Sequence, residues 1–128
     1  MQIKCHKDSA AWFDELSIME VKCVIRKIGL YNDRNYIQLY NELIDNIGLE
    51  KVHNIIRSPE YDDLYRLNKE IFNLIDLLRV EKVKKNCRNY ELLSEYGVEI
   101  DNKNTDRFEA KKKLQEKFFK SEIREVKL

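Results

Sequence analysis

Apolar residues recur along this chain at alternating intervals of three and four, the spacing that gathers side chains onto one face of a helix. Trp12, Leu16, Met19 and Cys23 form one such stripe. Tyr36, Tyr40, Leu43 and Ile47 form another, and Leu49, Val52, Ile55 and Ile56 a short third. Leu64, Leu67, Ile71, Leu74 and Leu78 repeat as a seam of just over two heptads, and Val80, Val83, Cys87 and Tyr90 carry the apolar set onward on a rotated face. Phe108, Leu114, Phe118 and Phe119 mark the narrow apolar face of a last helix.

Start and stop signals divide these stripes. Gly29, Gly48 and Gly97 each close an amphipathic run and precede an apolar residue, the arrangement of a left-handed C-terminal cap. Helix ends are therefore predicted near 28, 47 and 96. Ser9 caps the first helix, or Ser17 with Glu20 as a capping box starts it later, and Asn32 or Asp33 opens the second. Pro59 ends the third near Arg57, and Ser58-Pro59 starts the fourth, whose first turn carries Glu60, Asp62 and Asp63. Unbroken to residue 96, that helix is about 57 Å long; a kink around 86–89 is the alternative. Residues 98–104 read as a loop, with Asn104 or Thr105 capping the last helix. The tail 123–128 reads as a frayed end or a short strand beside Ile3 and Cys5.

The expectation is a single all-α domain over 1–128. It is a compact bundle of about five helices with one long central helix (about 59–96), against whose N-terminal half the first three pack. The final helix folds back after Gly97.

Composition supports this. With 128 residues, 43% apolar, the chain is long enough for a core without disulfides or metal. Three glycines and one proline leave too few turns for an all-β fold and no glycine-rich phosphate loop. Cys5, Cys23 and Cys87 are odd in number and widely spaced, which reads as free thiols. No apolar run approaches membrane-spanning length and the N-terminus lacks a signal-peptide layout, so the expected location is cytoplasmic, with no membrane contact.

Charge is nearly balanced, 24 Lys and Arg against 23 Asp and Glu, but not evenly spread. Residues 103–128 hold nine bases and five acids, and residues 59–102 ten acids and seven bases. Arg79, Lys82, Lys84, Lys85 and Arg88 on the fourth helix, with Lys111, Lys112 and Lys113 on the last, have the density that phosphate contacts need. Interleaved Glu81, Glu109 and Glu116 equally describe a solvated helix face.

No nucleophile elbow, Walker loop, dinucleotide fingerprint or zinc pattern occurs, and no cofactor is expected. His6 and His53 stand alone and read as structural. Glu42-x-x-Asp45 followed by Glu60-x-x-Asp63 places acid pairs at i and i+3 on two helices. That spacing resembles the all-α nucleotide pyrophosphohydrolases, and the resemblance implies Mg²⁺ held by Glu42, Asp45, Glu60 and Asp63 against a triphosphate. First-turn acids such as Glu60 and Asp63 also suit a helix N-terminus without any metal.

Seven tyrosines are many for this length, and Tyr36 with Tyr40 and Tyr61 with Tyr65 lie one turn apart. Such rings suit interfaces, since each buries a large area and keeps a polar tip. Together with a seam that a second copy could pair, they favour a non-catalytic binding protein whose partner is another protein or its own copy, with Tyr61 and Tyr65 among the contacts. Nucleic-acid binding through the basic faces is the first alternative and the pyrophosphohydrolase the second. In composition the chain resembles accessory proteins of bacteriophages and mobile elements, including inhibitors of host defence.

Overall fold

The computed structural model describes the backbone of residues 3–83 and 90–127, with side chains over 9–82 and 91–119. Over these residues the chain is all-α. It comprises α1 (Ile3–Arg26), a one-turn 3-10 helix (Leu30–Asn32), α2 (Arg34–Ile47), α3 (Leu49–Ile56), α4 (Pro59–Val83) and α5 (Tyr90–Lys127), with no strand among them. The long α4 sits at the centre, as the heptad seam predicts. Residues 84–89, where a kink was the alternative, lie outside the described residues, and Tyr90–Tyr96 belongs to α5.

α4 and α5 run antiparallel, a register fixed by Lys117 Nζ on Glu60 Oε1 (3.0 Å) and Lys103 Nζ on Glu70 Oε1 (2.8 Å). α1 packs on both. Phe13 of α1 is fully buried where the three meet, its ring edge-on to Tyr61 at 6.5 Å and tilted against Phe119 at 6.2 Å. Leu64, Leu114, Leu43, Val52 and Ile55 complete this centre, so α2 and α3 contribute to the same core. Beyond Ile71 and before Ala110 the described residues are at most half-buried, and the two long helices continue as an arm past the core.

Several local expectations hold. Asp33 caps α2, its side chain accepting the Tyr36 N–H at 2.9 Å. Gly48 (φ +93°) ends α2, donating to Ile44 O at 2.8 Å, and its own carbonyl opens α3 by accepting the Val52 N–H. Ser58 Oγ accepts the Tyr61 N–H at 3.2 Å and donates to Ile55 O at 2.6 Å, which joins the end of α3 to the start of α4.

Others are corrected. α1 begins at Ile3, so Ser9 and Ser17 are buried inside a helix rather than capping one. Of the expected stripe, Leu16 and Cys23 are buried but Trp12 and Met19 only half-buried; the buried face also takes in Ala10, Phe13, Ser17 and Val21. α1 also stops earlier than its glycine. Lys27 takes the left-handed conformation (φ 59°), Lys27 N–H donates to Val24 O and Ile28 N–H donates to Cys23 O, the paired bonds of a Schellman end. Gly29 is extended (φ −65°) and leads into the 3-10 turn.

The largest correction is at Gly97. It lies inside α5, as do residues 98–104 predicted as a loop and Asn104 and Thr105 predicted as caps. Thr105 Oγ1 donates back to Asp101 O at 3.1 Å, a bond made within a continuing helix. A helical glycine costs about 1 kcal/mol against alanine, which the flanking residues that pack on α4 outweigh. Leu92, Leu93, Tyr96, Ile100 and Lys103 form that half-buried line. The tail through Lys127 is likewise helical, so the strand reading beside Ile3 is overturned.

Candidate functional site

The connector between α1 and α2 builds the site. The left-handed Lys27 turns the chain, Gly29 extends it and the 3-10 turn reverses it into the Asp33 cap. The Cys23 thiol donates to Asp33 Oδ2 at 3.5 Å and ties the far end of the connector back to α1. Both that bond and burial raise the Cys23 thiol above its ordinary value, burial foremost, while the Tyr36 N–H leads the causes that hold the Asp33 carboxyl below the usual range. Asp33 is therefore spent on local structure.

This path brings Leu30 and Tyr31 to one side of a cleft of about 440 Å³. Tyr36, Ile37, Tyr40 and Asn41 line it from α2, and His53, Ile56 and Arg57 from the end of α3. The rings of Tyr36 and Tyr40 stack, 6.0 Å apart and 15° from parallel. Tyr40 Oη and His53 Nε2 share a hydrogen bond of 2.7 Å, so the wall is braced before anything binds. Burial pushes the Tyr36 phenol above its ordinary value, and its hydroxyl stays protonated at neutral pH.

Apolar surface continues beyond the cleft. Tyr31 is 91% exposed, and Val24, Ile25 and Ile28, on the last turn of α1 and just after it, are 51%, 44% and 41% exposed. Val24, Ile25 and Ile28 shortly precede Leu30 and Tyr31, the connector residues that line the cleft.

The residues singled out from sequence are distributed differently. Tyr61 is 3% exposed, its ring in the core and its hydroxyl donating to Glu20 Oε1 at 2.7 Å. It is thus not a surface contact; Tyr65 is half-buried nearby. Arg79 and Lys82 are exposed on the arm, whereas Lys84, Lys85 and Arg88 lie outside the described residues. Lys112 and Lys113 are exposed and Lys111 is half-buried with its Nζ 5.9 Å from the Phe108 ring. By the α4–α5 register the two clusters sit about 25 Å apart along the helices, so they form separate surfaces. Lys113 shares a groove with Arg66, Lys103, Asp63, Asp106 and Glu109, where cations and acids balance.

The carboxylates do not converge either. Glu42 and Asp45 are exposed on α2, Glu60 is paired with Lys117, and Asp63 lies 3.5 Å from Arg66. Among the described residues no group of three or more His, Cys, Asp or Glu is placed to hold a metal ion. The ligand set implied by the pyrophosphohydrolase resemblance is not assembled.

Sequence reasoning missed Tyr31, Ile37, Asn41 and Arg57, and set His53 aside. The available signal was the tyrosine excess, since Tyr31, Tyr36 and Tyr40 all reach this cleft.

Comparison with protein-family models, with curated protein sequences and with solved structures returns no match. No described helix is long and apolar enough to cross a membrane.

Proposed function

We propose that the protein acts by stoichiometric, non-catalytic binding to another protein, through the aromatic cleft and the apolar surface beside it. The observation that carries this reading is Tyr31. A large ring left 91% exposed on the lining of a concave wall, shortly after three half-exposed aliphatic side chains in the sequence, is surface that gains from being covered. Covering a side chain of this size contributes on the order of 2 kcal/mol, and the braced Tyr40–His53 wall spares part of the ordering cost. The composition favours an accessory protein of the kind that bacteriophages and mobile elements use to inhibit or regulate host proteins. A second copy of the chain is the other protein partner this surface accommodates.

The test compares wild type with Tyr31→Ala and Val24→Ser, both at exposed positions. Affinity capture from the native cell should recover a protein at near-equal stoichiometry with wild type and lose it with each variant. Light scattering on the purified chain should show concentration-dependent dimers, lost in the same variants, if the partner is a second copy. Identical captured proteins and identical mass for all three would overturn the proposal, as would salt-sensitive capture of nucleic acid alone.

A further inference from the structure

We infer that the cleft selects an acidic segment of its partner, one that seats an apolar or aromatic side chain between Tyr31, Tyr40 and Ile56 and sets carboxylates on the surrounding cations. The inference rests on the protein-binding reading of the same site and adds the chemistry of what is bound.

Charge carries it. Over residues 24–37 the chain places Arg26, Lys27 and Arg34 against a single acid, Asp33, in a protein whose net charge is only +1. Asp33 is already committed to the Tyr36 N–H and the Cys23 thiol. Arg57 brings the one full charge to the cleft lining itself. All four cations are exposed, and Lys27, Arg34 and Arg57 form no ion pair with a described residue. Along the α4–α5 seam, Lys103 and Lys117 each hold a carboxylate. An arginine on the lining of an apolar hollow, with Arg26, Lys27 and Arg34 close in sequence to the lining residues Leu30, Tyr31, Tyr36 and Ile37, complements a segment of opposite sign with an apolar anchor, and disfavours basic segments by like-charge repulsion.

Concavity chooses the class of partner. A lipid surface is met by convex, protruding apolar residues, whereas here a walled hollow of about 440 Å³ backs the exposed ring, room for a side chain and its neighbours. Arg57 also suits a carboxylate, since its planar fork matches two oxygens at once.

The test selects binders from a library of random displayed peptides on the purified chain, then measures them by fluorescence anisotropy against wild type, Tyr31→Ala, Arg57→Glu and Arg34→Glu. All three substituted side chains are exposed, and thermal melts confirm that each variant folds. Recovered peptides should be rich in Asp and Glu around Leu, Phe or Trp, weaken at high salt, and lose about tenfold or more in affinity to Arg57→Glu. Peptides that fail on Tyr31→Ala but show neither acidic bias nor salt sensitivity would overturn this inference and leave the protein-binding reading standing. Peptides held equally by Tyr31→Ala, or none recovered, would overturn both. Tyr31-dependent binding to phosphatidylserine vesicles in place of any peptide would also overturn it, by making the occupant a membrane surface.

Discussion

Arg107 of α5 grips the buried carboxylate of Asp14 on α1, with Nη2 donating to Oδ2 at 2.7 Å and Nε lying 3.2 Å from both carboxylate oxygens. Asn68 of α4 donates to the same carboxylate at 2.9 Å and to Ser17 Oγ at 2.8 Å, while Ser17 donates to Asp14 O at 2.7 Å. A polar network therefore spans all three long helices inside an otherwise apolar seam. Such a network fixes one alignment of the helices, because any slip strands a charge in the interior.

Arg107→Met is expected to cost about 3–5 kcal/mol, since it leaves the Asp14 carboxylate buried without its partner charge. Pairing it with Asp14→Leu should recover most of that loss. Urea titrations of the two single variants and the double variant measure the coupling; a small, additive cost for each would show that the pair does not fix the seam.

Gly97 and Gly48 should respond to alanine in opposite directions. A methyl at Gly97 meets nothing within 4 Å and its backbone is helical, so Gly97→Ala should stabilise by about 1 kcal/mol. Gly48 has open space too, but its φ of +93° strains any L side chain, and Gly48→Ala should destabilise by about 1–3 kcal/mol. Thermal melting separates them; destabilisation at Gly97 would place a helix end there.

Lys27 occupies the left-handed position that glycine fills best. Lys27→Gly should raise stability by about 0.5–1 kcal/mol, read as a higher urea midpoint with an unchanged slope. An unchanged or lower midpoint would refute the assignment of the Schellman end to residues 23–28.

Burial foremost pushes the Glu20 carboxyl above its ordinary value, against the smaller opposing effect of the Tyr61 hydroxyl bond. Its protonated form is thus favoured by folding. That contribution is fully present below the unfolded pKa near 4.5 and is lost as pH rises through the raised folded value. Glu20→Gln keeps an acceptor for Tyr61 and carries no charge, so it should be more stable than wild type at pH about 7 and lose that advantage near pH about 4. Glu60 and Glu70 act in the other sense. Each is held below its ordinary value, the lysine hydrogen bond foremost, so their contribution is present above the unfolded pKa and fades as acid protonates them. Paired unfolding curves at the two pH values decide the matter.

The sequence by itself determined the class of fold and most of its joints. Spacings of three and four required helices, Asp33 and Ser58 carried caps in their own side chains, and Gly48 stops α2 because its conformation is one that only glycine adopts without strain. Such signals are local, and a local energy of about 1 kcal/mol at a cap is enough to place an end. Where two local preferences compete, tertiary structure decided. At Gly97 the glycine asks for an end and the half-buried line from Leu92 to Lys103 asks for a helix; packing on α4 is the larger energy. At Lys27 no residue type announces the turn, because the Schellman bonds and the core face of α1 impose it. Ser17 reads as a cap and Tyr61 as an interface contact, and nothing in the spacing marks Asp14, since a one-dimensional pattern cannot show that Asn68, Arg107 and Glu20 wait across the seam. The cleft is of the same kind. Tyr31 and Arg57 lie far apart in sequence and meet only because two helix ends and one extended glycine fold a connector over α2.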